Sequence, residues 1–185
     1  LGLSLLLFAA LTIVSRTPNP FSPASLQNLR SALILVIGSV ALSGAIASLT
    51  KNMIGRARPS TGATAHVFDF AIMSFRAGWA AFPSGHATTA AACAIALSII
   101  LPRLACAWLS IGLIAALSRS LLGVHWLTDC LAGIALGVLV SLAFRRWMER
   151  RQHKFRIEPS LVLKVLALAT IVSLSSAYRI AKDAA

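Results

Sequence analysis

Apolar residues in this chain come in long runs, separated by short polar interruptions, rather than in the alternation expected of half-buried strands. Six runs stand out, over 1–14, 32–49, 87–101, 104–122, 126–144 and 161–177, the first and third being short. A helix crossing a bilayer needs about 20 mostly apolar residues, because hydrocarbon offers the backbone no hydrogen-bond partners. The pattern therefore predicts an all-α, polytopic transmembrane helical bundle of about six spans, folded as a single membrane-embedded domain over 1–185.

The interruptions suggest how the spans connect. Pro18, Pro20 and Pro23 break the pattern after the first run and predict a short loop, since proline lacks the N–H that a helix interior requires. Pro102 with Arg103, and Gly123 to His125, predict tight reversals, and short connections make neighbouring helices antiparallel. The longest polar interruption runs from Lys51 to His86. A loop of that length inside a compact domain is usually functional.

Composition agrees with the bilayer as solvent: 58% of residues are hydrophobic, 12% are charged, and mean hydropathy is +0.83. Seventeen Lys and Arg against five Asp and Glu give a net charge of +12, which in a soluble protein would point to nucleic acid. Here much of the excess (Arg145, Arg146, Arg150, Arg151, Lys154, Arg156) directly follows an apolar run, as in a cytoplasmic loop beside anionic headgroups, so no nucleic-acid partner is expected. Counting spans puts Arg16, Arg30, Arg103 and that cluster on one side. Lys51, Arg58, His86, Arg119 and His125 fall on the other, which is thus expected to be extracytoplasmic. Cys93, Cys106 and Cys130 lie within apolar runs without metal-ligand spacing and are expected to be small core residues. The opening run has neither a basic leader nor a small-residue cleavage site and reads as a span rather than a signal peptide.

Three polar clusters then fall at predicted helix ends on that extracytoplasmic side. In the first, Lys51 and Arg58 are seven residues apart, two turns of a continuing helix, which would put both cations on one face. A compact ammonium and a forked guanidinium suit a phosphate, and equally suit a basic flank anchoring a span. In the second, Pro83-Ser84-Gly85-His86 precedes a helix whose first N–H groups favour an anion. Ser84 can bond phosphate or cap the helix, and His86 can protonate a leaving oxygen near neutral pH. In the third, Arg119 precedes His125 and Asp129, which are four apart and so stack on one helix face. The carboxylate can then fix the imidazole tautomer and leave the other nitrogen free to attack, although spacing does not decide which histidine is the nucleophile.

Together the clusters read K-x6-R-P, P-S-G-H and S-R-x5-H-x3-D, filled by Lys51, Arg58 and Pro59, by Pro83 to His86, and by Ser118, Arg119, His125 and Asp129. The sequence in this respect closely resembles the type 2 phosphatidic acid phosphatase family, relatives of vanadium haloperoxidases and glucose-6-phosphatase. The resemblance covers a motif-bearing core of about 31–144 and leaves the last span, 161–177, peripheral. It implies an integral-membrane lipid phosphatase acting through a phosphohistidine. His125 would be the nucleophile, Asp129 its orienter and His86 the acid, while Lys51, Arg58, Ser84, Gly85 and Arg119 would bind the phosphoryl oxygens without metal or cofactor.

The implied partners are membrane lipids and a lipid phosphate substrate: phosphatidic acid, phosphatidylglycerophosphate, undecaprenyl pyrophosphate or lipid A. The implied location is a bacterial inner membrane, with the site facing the periplasm. The motifs do not choose among these lipids and leave the oligomeric state open. Alternatives are a non-catalytic lipid-binding or transport protein on the same bundle and, less in keeping with a membrane chain, a vanadate-dependent haloperoxidase. Phe68, Phe70, Phe75 and Trp79, within the long polar loop, read either as interfacial aromatics or as the core of a small lid.

Overall fold

The computed structural model describes residues 23–61 and 66–151. The expected outer spans, 1–14 and 161–177, lie outside the described residues, as do Lys154 and Arg156 of the basic cluster. The described residues form four α-helices, here α1 (Pro23–Ile54), α2 (Gly85–Ile100), α3 (Ala105–Leu121) and α4 (Leu127–Arg150). They contain no β-strand, only an isolated antiparallel bridge between Arg56 and Phe70.

Each inner apolar run becomes one helix, with boundaries set by local chemistry. Helix α1, 32 residues long, extends past the expected run at both ends. Pro23 starts it rather than ending in the loop, because a first-turn residue has no intrahelical use for an N–H. The helix stops before Gly55, whose φ of +61° only glycine adopts without strain, and the Ala71 carbonyl oxygen occupies the place a side chain there would need. Lys51 therefore sits in the last turn of α1, whereas Arg58 lies beyond it, so the expected two-turn stacking of these cations does not occur.

Ser84 begins α2 as a cap, its hydroxyl accepting from the Ala87 N–H at 3.4 Å. A 3₁₀ turn at Pro102–Leu104 makes the reversal into α3. Gly123, with φ +66°, turns the chain between α3 and α4.

Helix α2 is the hub, packed against α4, α3 and α1. Its buried face is almost entirely alanine (Ala87, Ala91, Ala92, Ala94, Ala96), which lets neighbouring backbones approach closely. Glycine carries this further: a methyl group on Gly133 of α4 would meet the Ser84 carbonyl oxygen at 2.6 Å. At Gly137 it would run into the Thr88 carbonyl, and at Gly112 of α3 into Ala94.

A larger-residue core (Leu35, Val36, Ile100, Met148) lies where the start of α1, the end of α2 and the end of α4 meet. Directly beneath the polar end, Ala87, Ala116 and Cys130 close a second, smaller core. Cys130 is buried there, as expected, and Cys93 is half-buried. Cys106 instead lies on an exposed face.

Three segments, Leu26–Ile54, Pro102–Leu121 and Leu127–Arg150, are long and apolar enough to cross a membrane. Outward-facing residues such as Ile111, Ile114 and Leu139 remain exposed on them, as a bilayer-solvated surface requires. At 16 residues α2 rises only about 24 Å.

Candidate active site

The polar end is assembled from the end of α1, the segments 55–61 and 66–84, the first turn of α2 and the link from α3 to α4. Main-chain bonds join these parts. The Arg58 N–H donates to the Gly78 carbonyl at 2.9 Å, and the Ser84 N–H to the Asp129 carbonyl at 3.0 Å. The His125 N–H donates to the Arg119 carbonyl at 3.3 Å, and the Trp126 indole N–H to the Ala57 carbonyl at 3.0 Å.

His125 is buried, and its Nδ1 lies 2.9 Å from the Ala81 carbonyl oxygen. A carbonyl can only accept, so Nδ1 carries the hydrogen, and in the neutral ring the lone pair then belongs to Nε2. Asp129 stands farther off, its Oδ2 at 3.7 Å from Nδ1. The sequence suggested that this carboxylate orients the ring, but the nearer acceptor is the Ala81 carbonyl, a main-chain group that residue types do not reveal.

Asp129 is wholly buried and otherwise engaged. Its Oδ2 accepts from the Trp126 N–H at 3.0 Å, closing the first turn of α4, and its Oδ1 lies 2.5 Å from Arg56 Nη1. Arg56, 5% exposed, is a residue of the candidate site that the motifs did not single out. One signal for it did exist. A carboxylate within an apolar run is costly without a counter-charge, so Asp129 called for a cation from elsewhere in the chain.

The remaining cations gather nearby. Lys51 Nζ lies beside Gly85, 3.1 Å from where a Cβ would stand. The Nε groups of Arg58 and Arg119 are buried with no hydrogen-bond partner among the described residues. His86, ahead of the apolar run of α2, is exposed at the rim. Partial burial first, then the charges of Arg119, His125, Lys51 and Arg58, push its pKa below the usual histidine value. Ser84 is fully buried and caps α2, so of its two expected roles the cap is the one its hydrogen bond displays.

The segment leading to α2 is not a folded lid with an aromatic core. Phe68 and Phe75 are 84% and 77% exposed, and Phe70, Ile72 and Met73 are also exposed, whereas Trp79 is half-buried. The segment is tied down by its backbone, with the Ala57 N–H donating to the Asp69 carbonyl at 2.9 Å and the Ala71 N–H to the Gly55 carbonyl at 2.7 Å.

A helical membrane bundle with histidines and cations gathered at one polar end is the class that fold and site define. The family profile of the PAP2 superfamily matches residues 32–153, and the chain belongs to that superfamily. It is 36% identical over 121 residues to a lipid A 1-phosphatase of Rhizobium johnstonii, covering 65% of this chain and 50% of that protein. It is also 36% identical over 104 residues to a lipid A 1-phosphatase of Rhizobium etli, covering 56% and 45%. The chain thus spans about half the length of the curated relatives it matches. No solved structure matches significantly.

Proposed function

We propose that this protein is an integral-membrane phosphatase that removes phosphate from a lipid, with His125 as nucleophile. The observation that carries this reading is the pairing of a buried imidazole, its Nδ1 committed to Ala81, with two buried guanidinium Nε groups that lack a partner among the described residues. Buried polar groups are almost always hydrogen-bonded. A phosphoryl group seated between Arg58, Arg119, Lys51 and the first-turn N–H groups of α2 at Gly85 would satisfy them, with the Ser84 hydroxyl beneath.

The chemistry then runs in two displacements. The Nε2 lone pair of His125 forms a P–N bond as the P–O bond to the lipid breaks, and the departing oxygen takes its proton from His86. In the second step water attacks phosphorus and gives a proton to the now neutral His86. The P–N bond breaks, and its electron pair returns to Nε2. The cations stabilise charge on the transferring group, and in this reading no metal ion takes part.

Depressing the pKa of His86 would be a liability for an acid. A bound phosphate, however, counters the charges of Arg119, Lys51 and Arg58 that depress it. The site would thus complete its own acid only when occupied.

The substrate is a phosphate or pyrophosphate carried on a membrane lipid. Likeness to two lipid A 1-phosphatases favours a glycolipid phosphate over the other candidates, in a bacterial inner membrane with the polar end on the periplasmic side. The test is phosphate release by the detergent-solubilised chain from phosphatidic acid, phosphatidylglycerophosphate, undecaprenyl pyrophosphate and lipid A, each with the His125→Ala variant alongside. Turnover of at least one lipid, lost by about a thousandfold or more in the variant, is expected. Undiminished turnover in the variant would remove His125 from the mechanism.

A further inference from the structure

The residue of the polar end with the most partners is one that the phosphoryl chemistry does not use. Arg56 Nε donates to the Val67 carbonyl at 2.9 Å, and Nη1 donates to Thr128 Oγ1 at 2.8 Å and to Asp129 Oδ1. Its guanidinium carbon stands 5.9 Å from the ring centroids of both Phe70 and Phe82. Its own carbonyl accepts from the Ala81 N–H at 3.1 Å. Arg58, two residues on, keeps a buried Nε with no partner among the described residues and a main-chain N–H on Gly78. These two neighbouring arginines serve different ends.

Two groups face Nδ1 of His125, the Ala81 carbonyl at 2.9 Å and the Asp129 carboxylate at 3.7 Å. Arg56 grips both, the first through its backbone and the second through its side chain. We infer that Arg56 is a positioning residue for the His125 reaction, fixing the ring's tautomer and direction by holding both acceptors that face Nδ1. This rests on the reading of His125 as nucleophile.

A buried carboxylate left alone is strongly disfavoured, and it would either take up a proton or swing toward the nearest donor, which here is Nδ1. Holding Oδ1 on Arg56 and Oδ2 on the Trp126 N–H prevents that swing. The same guanidinium is clamped from the other side by Val67 and the two rings, so seating of the 66–82 segment and placement of Asp129 become one event. A lysine would preserve the charge but not the fork, so it could not serve Val67, Thr128 and Asp129 together.

The experiment uses the full chain in detergent, with phosphatidic acid and lipid A in mixed micelles as probes and rates normalised to folded protein. Misplacing a reacting group by about 1 Å costs up to about a hundredfold in rate. Arg56→Lys should accordingly lower kcat about tenfold and Arg56→Gln about a hundredfold, with KM within about threefold of the parent. Arg58→Lys, at a residue that holds the phosphoryl group itself, should raise KM as well as lower kcat.

If Arg56→Gln does not fold, Arg56→Lys, which keeps the charge beside Asp129, carries the test through its about tenfold lower kcat. A loss appearing in KM would make Arg56 a substrate ligand and overturn the inference. So would normal kcat per folded molecule in Arg56→Lys. Full turnover by His125→Ala would instead defeat the nucleophile reading beneath it, a failure distinguishable because Arg56 is intact in that variant.

Discussion

Arginines occupy both ends of this bundle, under opposite conditions. At the polar end Arg56 is 5% exposed, paired with a carboxylate that is fully buried, and fixed by several partners at once. At the far end of α4, Arg145 and Glu149 form an ion pair of similar length, 2.7 Å, with side chains 41% and 43% exposed. Distance alone would rank the two pairs together, but surroundings separate them. In water an ion pair gains little, because solvent serves each charge nearly as well as the partner does. In a dry site the charges depend on each other, and breaking the pair strands one of them.

Substitutions that break this comparison should differ greatly in size. Asp129→Ala leaves Arg56 buried without its counter-ion and should cost about 3–5 kcal/mol of stability, together with nearly all turnover. Melting in detergent and phosphate release would register both, and a fully active, stable variant would show that burial does not separate the two ends.

Next in size is Gly133→Ala, which presses a methyl group against the Ser84 carbonyl and must move either α4 or the start of α2. It should cost about 1–3 kcal/mol and lower kcat more than the same change at an exposed helix position.

The pH dependence should show a subtler effect. In the proposed mechanism His86 must be protonated to act as acid, so activity falls as pH rises through its pKa, which partial burial and then the surrounding charges lower in the free site. Bound phosphate should raise that pKa, placing the alkaline limb of kcat at higher pH than that of kcat/KM. His86→Asn should abolish the limb of kcat at a much reduced rate, and a limb surviving in that variant would reassign it. Smallest of all, Arg145→Ala should change stability by about 0.5 kcal/mol or less and leave turnover unaltered.

The bundle was largely legible in the sequence because each inner helix coincides with an apolar run, a signal carried by consecutive residues. Helix ends were less legible. The extension of α1 through Lys51 to Ile54 depends on Gly55 adopting a positive φ against Ala71, a contact between parts of the chain remote from the apolar pattern. Within the candidate site, residue types were readable but their pairings were not. His125 and Asp129 were legible as a pair from their spacing, while Arg56, in another segment, takes the carboxylate, and the Ala81 backbone takes the imidazole hydrogen. A main-chain acceptor has no letter in a sequence, and an arginine beside a more conspicuous arginine is easily read as its spare.

The glycines at the helix contacts also limit how this chain can vary over generations. At Gly112, Gly133 and Gly137 the neighbouring backbone or an alanine already fills the space a side chain would enter. Glycine is the smallest residue, so every heritable replacement at these places adds atoms, and no smaller neutral variant exists as an intermediate. A lineage can enlarge such a position only after the facing helix has shifted. Alteration there should thus arrive as paired changes on two helices, whereas exposed positions such as Phe68 and Phe75 can diversify one residue at a time.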